Sequence, residues 1–468
     1  MKDDIFEKLV LNPIQNSIKT FADKCAFCIN GKLYSYQELG NVIERQRERY
    51  KRSKNNLFPI EIHDDIKTYA SIIALWMEKK GYVPINPNHP QDRNNDILKQ
   101  VEIANKEDID SLAYILFTSG STGTPKGVCI TRENVGYFMD SFWKTGITVT
   151  ENDRCLQCFD LTFDVSIQSF LAALTRGACV YTVPTGQVKY LSVAALIQEK
   201  HITFGAMAPS LLAYLRPYFE ELDASSIKTC ILTAEACPIE LIKEWRQCAI
   251  NADIYDFYGP TEGTIYCTYY HCKTNKNILA DNGIVSIGKP LTNVDAIILN
   301  EQGIPTTIPE DKGELCISGG QVTIGYLNNP DKNETSFSTI EYNGSAKRFY
   351  HTGDLAYWDK SGNLMYLGRI DQQAKIQGFR VELTEIEYHA RQFYDNKVQT
   401  AAIVFQNKQN LNEIALFVEK ESESADSLIK FLRSQMPSYM IPTKVVFIDR
   451  FPLNNNDKLD RTILKSLI

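Results

Sequence analysis

Apolar and polar positions along this chain follow two different periods, and the points where the period changes outline its elements. LAYILFT (112–118) is a continuous apolar run that predicts a buried strand; a glycine-rich loop and a second short strand around Val128–Thr131 follow it. Val135, Phe138, Met139 and Phe142 then recur at i, i+3, i+4 and i+7, which is one face of a helix. DVSIQSFLAAL (164–174) predicts another helix, stopped near Gly177, and ACVYTV (178–183) the next strand. Strands alternating with helices imply an α/β architecture. The last hundred residues differ: VQTAAIVF (398–405) and EIALFVE (413–419) read as adjacent strands, followed by a helix over 425–435 and the strand KVVFID (444–449). That is a small α+β unit with its own core, and the polar segment LGRIDQQAKIQG (367–378) marks the boundary before it.

Length sharpens this picture, since 468 residues exceed what one core organises and suggest about three units of about 150 residues each. A hydrophobic share of 44% with 23% charged residues fits a globular chain without disordered tracts. The net charge of −7 gives no basic surface to attract nucleic acid or an anionic membrane, so neither is expected as a partner. The start, MKDDIFEKLVLNPIQNS, lacks the apolar core of a signal peptide, and no apolar run approaches the ~18 residues of a spanning helix, so a cytoplasmic enzyme is expected. Among twelve cysteines, Cys25/Cys28 and Cys155/Cys158 have C-x-x-C spacing. A four-thiolate zinc site needs a turn between its cysteines, whereas Cys25 and Cys28 lie in CAFCINGKLYSY, where Asn30-Gly31 predicts a hairpin between two strands. Small buried strand residues are therefore expected, and zinc is not. The six histidines are scattered singly and give no metal-binding pair.

The chemistry concentrates in ILFTSGSTGTPKG (115–127). A Walker loop would place its lysine after glycine and before a Ser or Thr that reaches magnesium. Here Pro125 precedes Lys126 and Gly127 follows it, so the Ser/Thr is missing and one amide donor is lost. Bare glycine amides and hydroxyls still suit phosphate oxygens, and the loop directly follows a buried strand, which argues against a flexible linker.

S-G-S-T-G-x-P-K-G resembles the signature loop of the adenylate-forming superfamily, which includes acyl-CoA ligases, luciferases and the adenylation domains of nonribosomal peptide synthetases. DFYGPTEGT (256–264), GELCISGGQVTIGY (313–326), YHTGDL (350–355), YLGRIDQQAKIQGFRVELTEIE (366–387) and LNNNDKLDR (453–461) continue the resemblance in the family's order over nearly the whole chain. It implies a large N-terminal domain of mixed sheets and helices, residues 1–370, and a small mobile α+β C-terminal domain, residues 371–468. The implied chemistry has two steps: a carboxylate attacks the α-phosphate of ATP, giving acyl-AMP and pyrophosphate, and a thiol then displaces AMP.

By the same resemblance, Thr118, Ser119, Gly120, Ser121, Thr122, Gly123 and Lys126 hold the β- and γ-phosphates. Asp256, Phe257 and Tyr258 line the nucleotide, with the Tyr258 ring against adenine. Thr261 contacts the α-phosphate and Glu262 holds magnesium, a hard cation that takes carboxylate oxygens. Asp354 accepts the ribose hydroxyls and Arg369 assists there; taken alone, Asp354 and Glu262 read as acids of surface turns. Lys458 is the expected catalytic lysine, although Asp457 stands where the family usually has glycine. Asp371 corresponds to the hinge, with Lys375 and Gly378 on the surface used in the second step.

The substrate is read from Asp164, which falls where amino-acid-activating members pair an aspartate with the α-ammonium; a helix N-cap is the alternative. The pocket carried over residue by residue is Asp164, Val165, Gln168, Ala206, Leu232, Ala234, Phe257, Ile265 and Tyr266, closed by Lys458. It holds no further charge and is mostly apolar, which fits a compact apolar amino acid. The opening Asp-Val-Gln and later Leu-x-Ala resemble proline-activating pockets, while alanine or valine differ by little discrimination energy. With ten residues after Lys458 and no carrier segment, a free-standing enzyme is expected that loads a separate phosphopantetheine carrier protein. A ligase that delivers the acyl group to coenzyme A or an amine is the alternative activity. A nucleotide sensor that keeps the fold without catalysis is the alternative class.

Overall fold

The computed structural model describes residues 4–106, 111–120, 125–184, 186–273, 277–306, 308–371, 373–421, 423–452 and 459–468. Ser121, Thr122, Gly123 and Lys458 lie outside the described residues.

The chain divides into two compact units. The first comprises Met1–Ile85, Gln100–Leu116 and Gly127–Ile370; the second comprises Asn86–Lys99, Phe117–Lys126 and Asp371–Ile468. The second unit takes in two earlier segments, one carrying the Gly-rich loop, besides the C-terminal part from Asp371 onward.

In the first unit a nine-stranded sheet runs Lys289–Pro290, Thr268–Cys272, Asp253–Tyr258, Thr229–Thr233, Phe204–Met207, Arg154–Gln157, Cys179–Thr182, Cys25–Ile29, Lys32–Ser35. From Asp253–Tyr258 to Cys179–Thr182 its strands pair in parallel, as the alternating pattern implies, whereas Thr268–Cys272 runs antiparallel to its neighbours. The edge hairpin Cys25–Ile29/Lys32–Ser35 turns at Asn30 and Gly31 with φ of 50° and 78°, the left-handed pair that a tight two-residue turn requires. A five-stranded sheet, in the order Gly325–Tyr326, Lys126–Thr131, Leu112–Thr118, Gly81–Ile85, Leu57–Glu61, carries the Gly-rich loop between its second and third strands. A mainly antiparallel sheet is built around the long strand Ser345–Trp358, which pairs with Gly313–Gly319, Phe337–Tyr342 and Leu364–Arg369.

Local chemistry sets the helices. Ser35 and Glu38 form a capping box at the start of Tyr36–Lys51, and Thr131 with Asn134 does the same for Arg132–Trp143. Asp164–Leu174 is buried along its whole length, so it is a core helix rather than an amphipathic one. Two large hydrophobic clusters fill this unit, one on each face of the parallel strands Phe204–Met207, Thr229–Thr233 and Asp253–Tyr258.

The second unit has a three-stranded sheet, Thr400–Gln406, Asn412–Glu419 and Lys444–Ile448, with helices Leu383–Phe393 and Asp426–Gln435. Ile376, Val381, Ile386, Leu416, Leu428 and Met440 form part of its own core. No helix among the described residues is long and apolar enough to cross a membrane.

Candidate active site

Asp164 is the first residue of its helix; the N-cap is Phe163, which makes no side-chain capping bond. Asp164 is therefore not the N-cap residue itself, and its carboxylate has a wider environment than the helix end. Burial raises it to about 6, opposed by hydrogen bonds from the Val165 backbone, the Thr261 side chain and the Ile265 backbone, while the Glu262 charge adds to the rise. Its Oδ2 atom is buried with no hydrogen-bond partner. Gln168, one turn along on the same face, accepts from Tyr266 Oη at 3.4 Å through Oε1, and its Nε2 is likewise buried without a partner. An orphan acceptor and an orphan donor on one helix face are both costly unless a ligand meets them.

The segment Thr261–Tyr266 lies opposite in a strained conformation. Thr261–Gly263 forms a 3-10 turn, after which Thr264 and Ile265 both adopt left-handed backbone, with φ of 57° and 74°. A β-branched isoleucine there is a strained residue that the surroundings must enforce. Gln321 enforces it: its Nε2 donates to Tyr266 O at 2.7 Å, and its own carbonyl accepts from Thr264 Oγ1 at 2.5 Å. Ala234, also in the expected pocket, has a φ of 71°. Glu262 is almost wholly buried; its Oε1 accepts from Tyr326 Oη at 2.6 Å, and its backbone carbonyl accepts from Thr323 N at 2.7 Å.

Strand parity sorts the remaining pocket residues. Ala206 pairs with Ile231, and Thr233 with Phe257, so Ala206, Thr233 and Phe257 share one face of the sheet. Leu232 pairs with Met207 and Asp256 on the opposite face, within the other hydrophobic cluster. The structure therefore does not bring Leu232 to Asp164, and Asp256 likewise points away from the Phe257 face. Thr233, which the sequence reading passed over, hydrogen-bonds to Tyr266 and helps hold its hydroxyl. The buried, unpartnered hydroxyls of Tyr82 and Tyr114 also sense the Asp164 charge.

Asp354 is buried in the antiparallel sheet, where Arg369 Nη1 donates to its Oδ1 at 2.9 Å and to Thr352 O at 2.7 Å. Tyr258 Oη donates to Asp354 Oδ2 at 2.5 Å. Burial first, and then the Asp354 charge, push the Tyr258 phenol well up, so it stays a donor. Tyr258, Asp354 and Arg369 are thus one connected group.

In the second unit the loop's described donors face carboxylates. Lys126 Nζ meets Glu382 Oε1 at 2.8 Å, Gly120 N donates to Glu385 Oε2 at 2.9 Å, and Ser119 Oγ accepts from Glu382 N at 3.0 Å. Arg93 Nη1 meets the other oxygen of Glu385 at 3.3 Å. The bare amide and the lysine therefore bind oxyanions within this unit.

Residues 99–327 match the family described as AMP-binding enzyme. The chain is 28% identical to tyrocidine synthase 1 of Brevibacillus parabrevis over 96% of its own length and 44% of that protein's. It spans less than half the length of the curated relatives it matches first. Its fold is similar to the Vibrio cholerae adenylation domain AlmE, solved with glycyl-adenosine-5'-phosphate, with a TM-score of 0.87 and 23% identity over 97% of both chains. It is also similar to PA1221, a protein with adenylation and carrier domains, with a TM-score of 0.84 and 21% identity over 97% of this chain and 83% of that one. Residues 99–327, just under half of the chain, thus carry the AMP-binding enzyme match, and the whole chain has the fold of solved adenylation domains.

Proposed function

We propose that this chain activates a small amino acid as its aminoacyl-adenylate, with release of pyrophosphate, and passes it to the phosphopantetheine thiol of a separate carrier protein. The observation that carries the amino-acid reading is the buried Asp164, whose Oδ2 has no hydrogen-bond partner among the described residues. An ammonium supplies the missing partner and the compensating charge; a fatty or aryl acid supplies neither.

ATP enters through the loop Thr118–Lys126, whose described donors already bind oxyanions. Asp354, tied to Tyr258 and Arg369, is the ribose acceptor of the proposal. Glu262 is a buried carboxylate of the hard-donor type that magnesium takes, and it would hold the ion. Magnesium, when bound with ATP, neutralises phosphate charge. The nucleophile already carries its charge, so adenylation rests on positioning and on donors that meet developing charge. Thr261 and the ammonium of Lys458 have that role. Asp371 is the proposed hinge for the thiol step, with Lys375 and Gly378 on the surface used then.

Proline is the first substrate to test, from the apolar character of Val165, Ala206, Ala234, Phe257 and Ile265. A specific observation favours a second reading: the unpartnered Gln168 Nε2 is a buried donor that proline's ring does not meet. A small amino acid with a hydroxyl or amide in its side chain would meet it. The test is amino-acid-dependent exchange of labelled pyrophosphate into ATP across all twenty amino acids. Exchange with one small amino acid, reduced at least a hundredfold in Lys458→Ala, is the expected result. Exchange with none, in protein that still binds ATP, refutes the amino-acid reading.

A further inference from the structure

The first unit also holds two cysteines in an arrangement that the proposed adenylation does not use. Cys25 Sγ and Cys179 Sγ lie 2.8 Å apart although 154 positions separate them in sequence. Cys25 opens the edge-hairpin strand Cys25–Ile29, and Cys179 opens the neighbouring parallel strand Cys179–Thr182. The register pairs Phe27 with Val180, which sets Ala26 beside Cys179 and would turn Cys25 to the other face. An irregularity in the hairpin falls between Cys25 and Phe27. Such a bulge breaks the strict alternation and re-aims a side chain, which accounts for Cys25 meeting Cys179.

The pair stands out chemically from the other thiols. Of the twelve cysteines, Cys25 is the one whose thiol is held below its ordinary value, first of all by the hydrogen bond from Cys179. Burial pushes up Cys28, Cys129, Cys155, Cys158, Cys230, Cys237, Cys248, Cys267, Cys272 and Cys316, and Cys179 is raised chiefly by its bond to Cys25. Cys25 is also half-buried rather than buried, so a small oxidant reaches it before the others.

We propose that Cys25 and Cys179 form a reversible disulfide under a hydroperoxide, tying the edge hairpin to the interior of the nine-stranded sheet. The Cys25 thiolate attacks the peroxide and becomes a sulfenic acid, releasing one water after protonation. The Cys179 thiol then attacks that sulfur, forming the S–S bond and releasing a second water. Two thiols and one hydrogen peroxide thus give one disulfide and two waters. The sulfurs start less than about 1 Å from bonding distance, so small local shifts suffice.

The test uses the whole chain, reduced, desalted and exposed to hydrogen peroxide, then alkylated and digested without reductant. The expected result is a loss of two of the twelve thiols, a linked pair of peptides carrying Cys25 and Cys179, and recovery with dithiothreitol. Cys179→Ser should accumulate a Cys25 sulfenic acid trapped by dimedone, and Cys25→Ser should lose no thiol at the same dose. Twelve intact thiols, a link from Cys25 to Cys28 or Cys155, or a Cys25 sulfenic acid that persists in wild type would each overturn the proposal.

Discussion

Asp164, the proposed partner of the substrate's ammonium, combines burial with charge. Its folded-state value of about 6 lies above the ordinary 3.8, because burial outweighs the hydrogen bonds it accepts. An ammonium binds the ionised form, so affinity for the amino acid should be flat above about pH 6. Below that value the apparent dissociation constant should rise about tenfold per pH unit as the carboxyl protonates. Titration of the amino acid against the enzyme at fixed ATP between pH 5 and 8 checks this. Asp164→Asn should bind weakly at every pH with no such break, and an unchanged break in that variant would assign the proton elsewhere. Asp164 was singled out from its resemblance alone. Its environment was not legible, because Tyr82, Tyr114, Thr261 and Ile265 come from segments remote in sequence, and no local pattern announces their convergence. Tyr326, which holds Glu262, was closer to legible: it closes the motif GGQVTIGY that was quoted for its family resemblance.

Among elements, strands were read best where apolar runs are long and turns are marked. LAYILFT became Leu112–Thr118, and DVSIQSFLAAL became Asp164–Leu174 without a shift. The pocket assignment slipped inside the strand Thr229–Thr233, where a displacement of one residue exchanges the two faces of the sheet. Ile231, Leu232 and Thr233 are all buried, so hydrophobicity could not tell which face each takes; only the pairing with Ala206 and Phe257 does. That parity separates two outcomes. Leu232→Ala should destabilise the first unit by about 2–5 kcal/mol in chemical unfolding, through a cavity in the other cluster, and leave the order of preferred amino acids unchanged. Thr233→Val, nearly isosteric, releases the Tyr266 hydroxyl and should raise the KM for the amino acid with little loss of stability. A changed substrate order in Leu232→Ala, with Thr233→Val silent, would restore the original assignment.

At the scale of the whole molecule, the second unit is assembled from three stretches of chain. Composition gave no sign of this, because Asn86–Lys99 and Phe117–Lys126 join it through particular contacts, Arg93 with Glu385 and Lys126 with Glu382. Those contacts are polar, while two apolar clusters of the unit are built from residues 371–468, with Ile376, Leu383, Leu416, Leu432 and Met440 in one and Ala401, Phe417 and Leu464 in the other. Glu387 is satisfied within the same stretch: its Oε1 accepts from Ala402 N at 2.9 Å and from Arg461 Nη2 at 2.8 Å. A segment with its own core and its own internal ion pair has what independent folding requires. Residues 371–468 expressed alone should therefore unfold in one cooperative urea transition, with fluorescence and circular dichroism coincident. Glu385 is the residue that pays for the separation, since burial now raises its carboxyl and Arg93 offsets part of that rise. Without Arg93 and Gly120 beside it, that carboxyl becomes solvated and should return toward its ordinary value in the fragment. A fragment that shows no cooperative transition would mean instead that the polar contacts to Arg93, Gly120 and Lys126 hold the unit together, and that its sheet and helices depend on the inserted stretches.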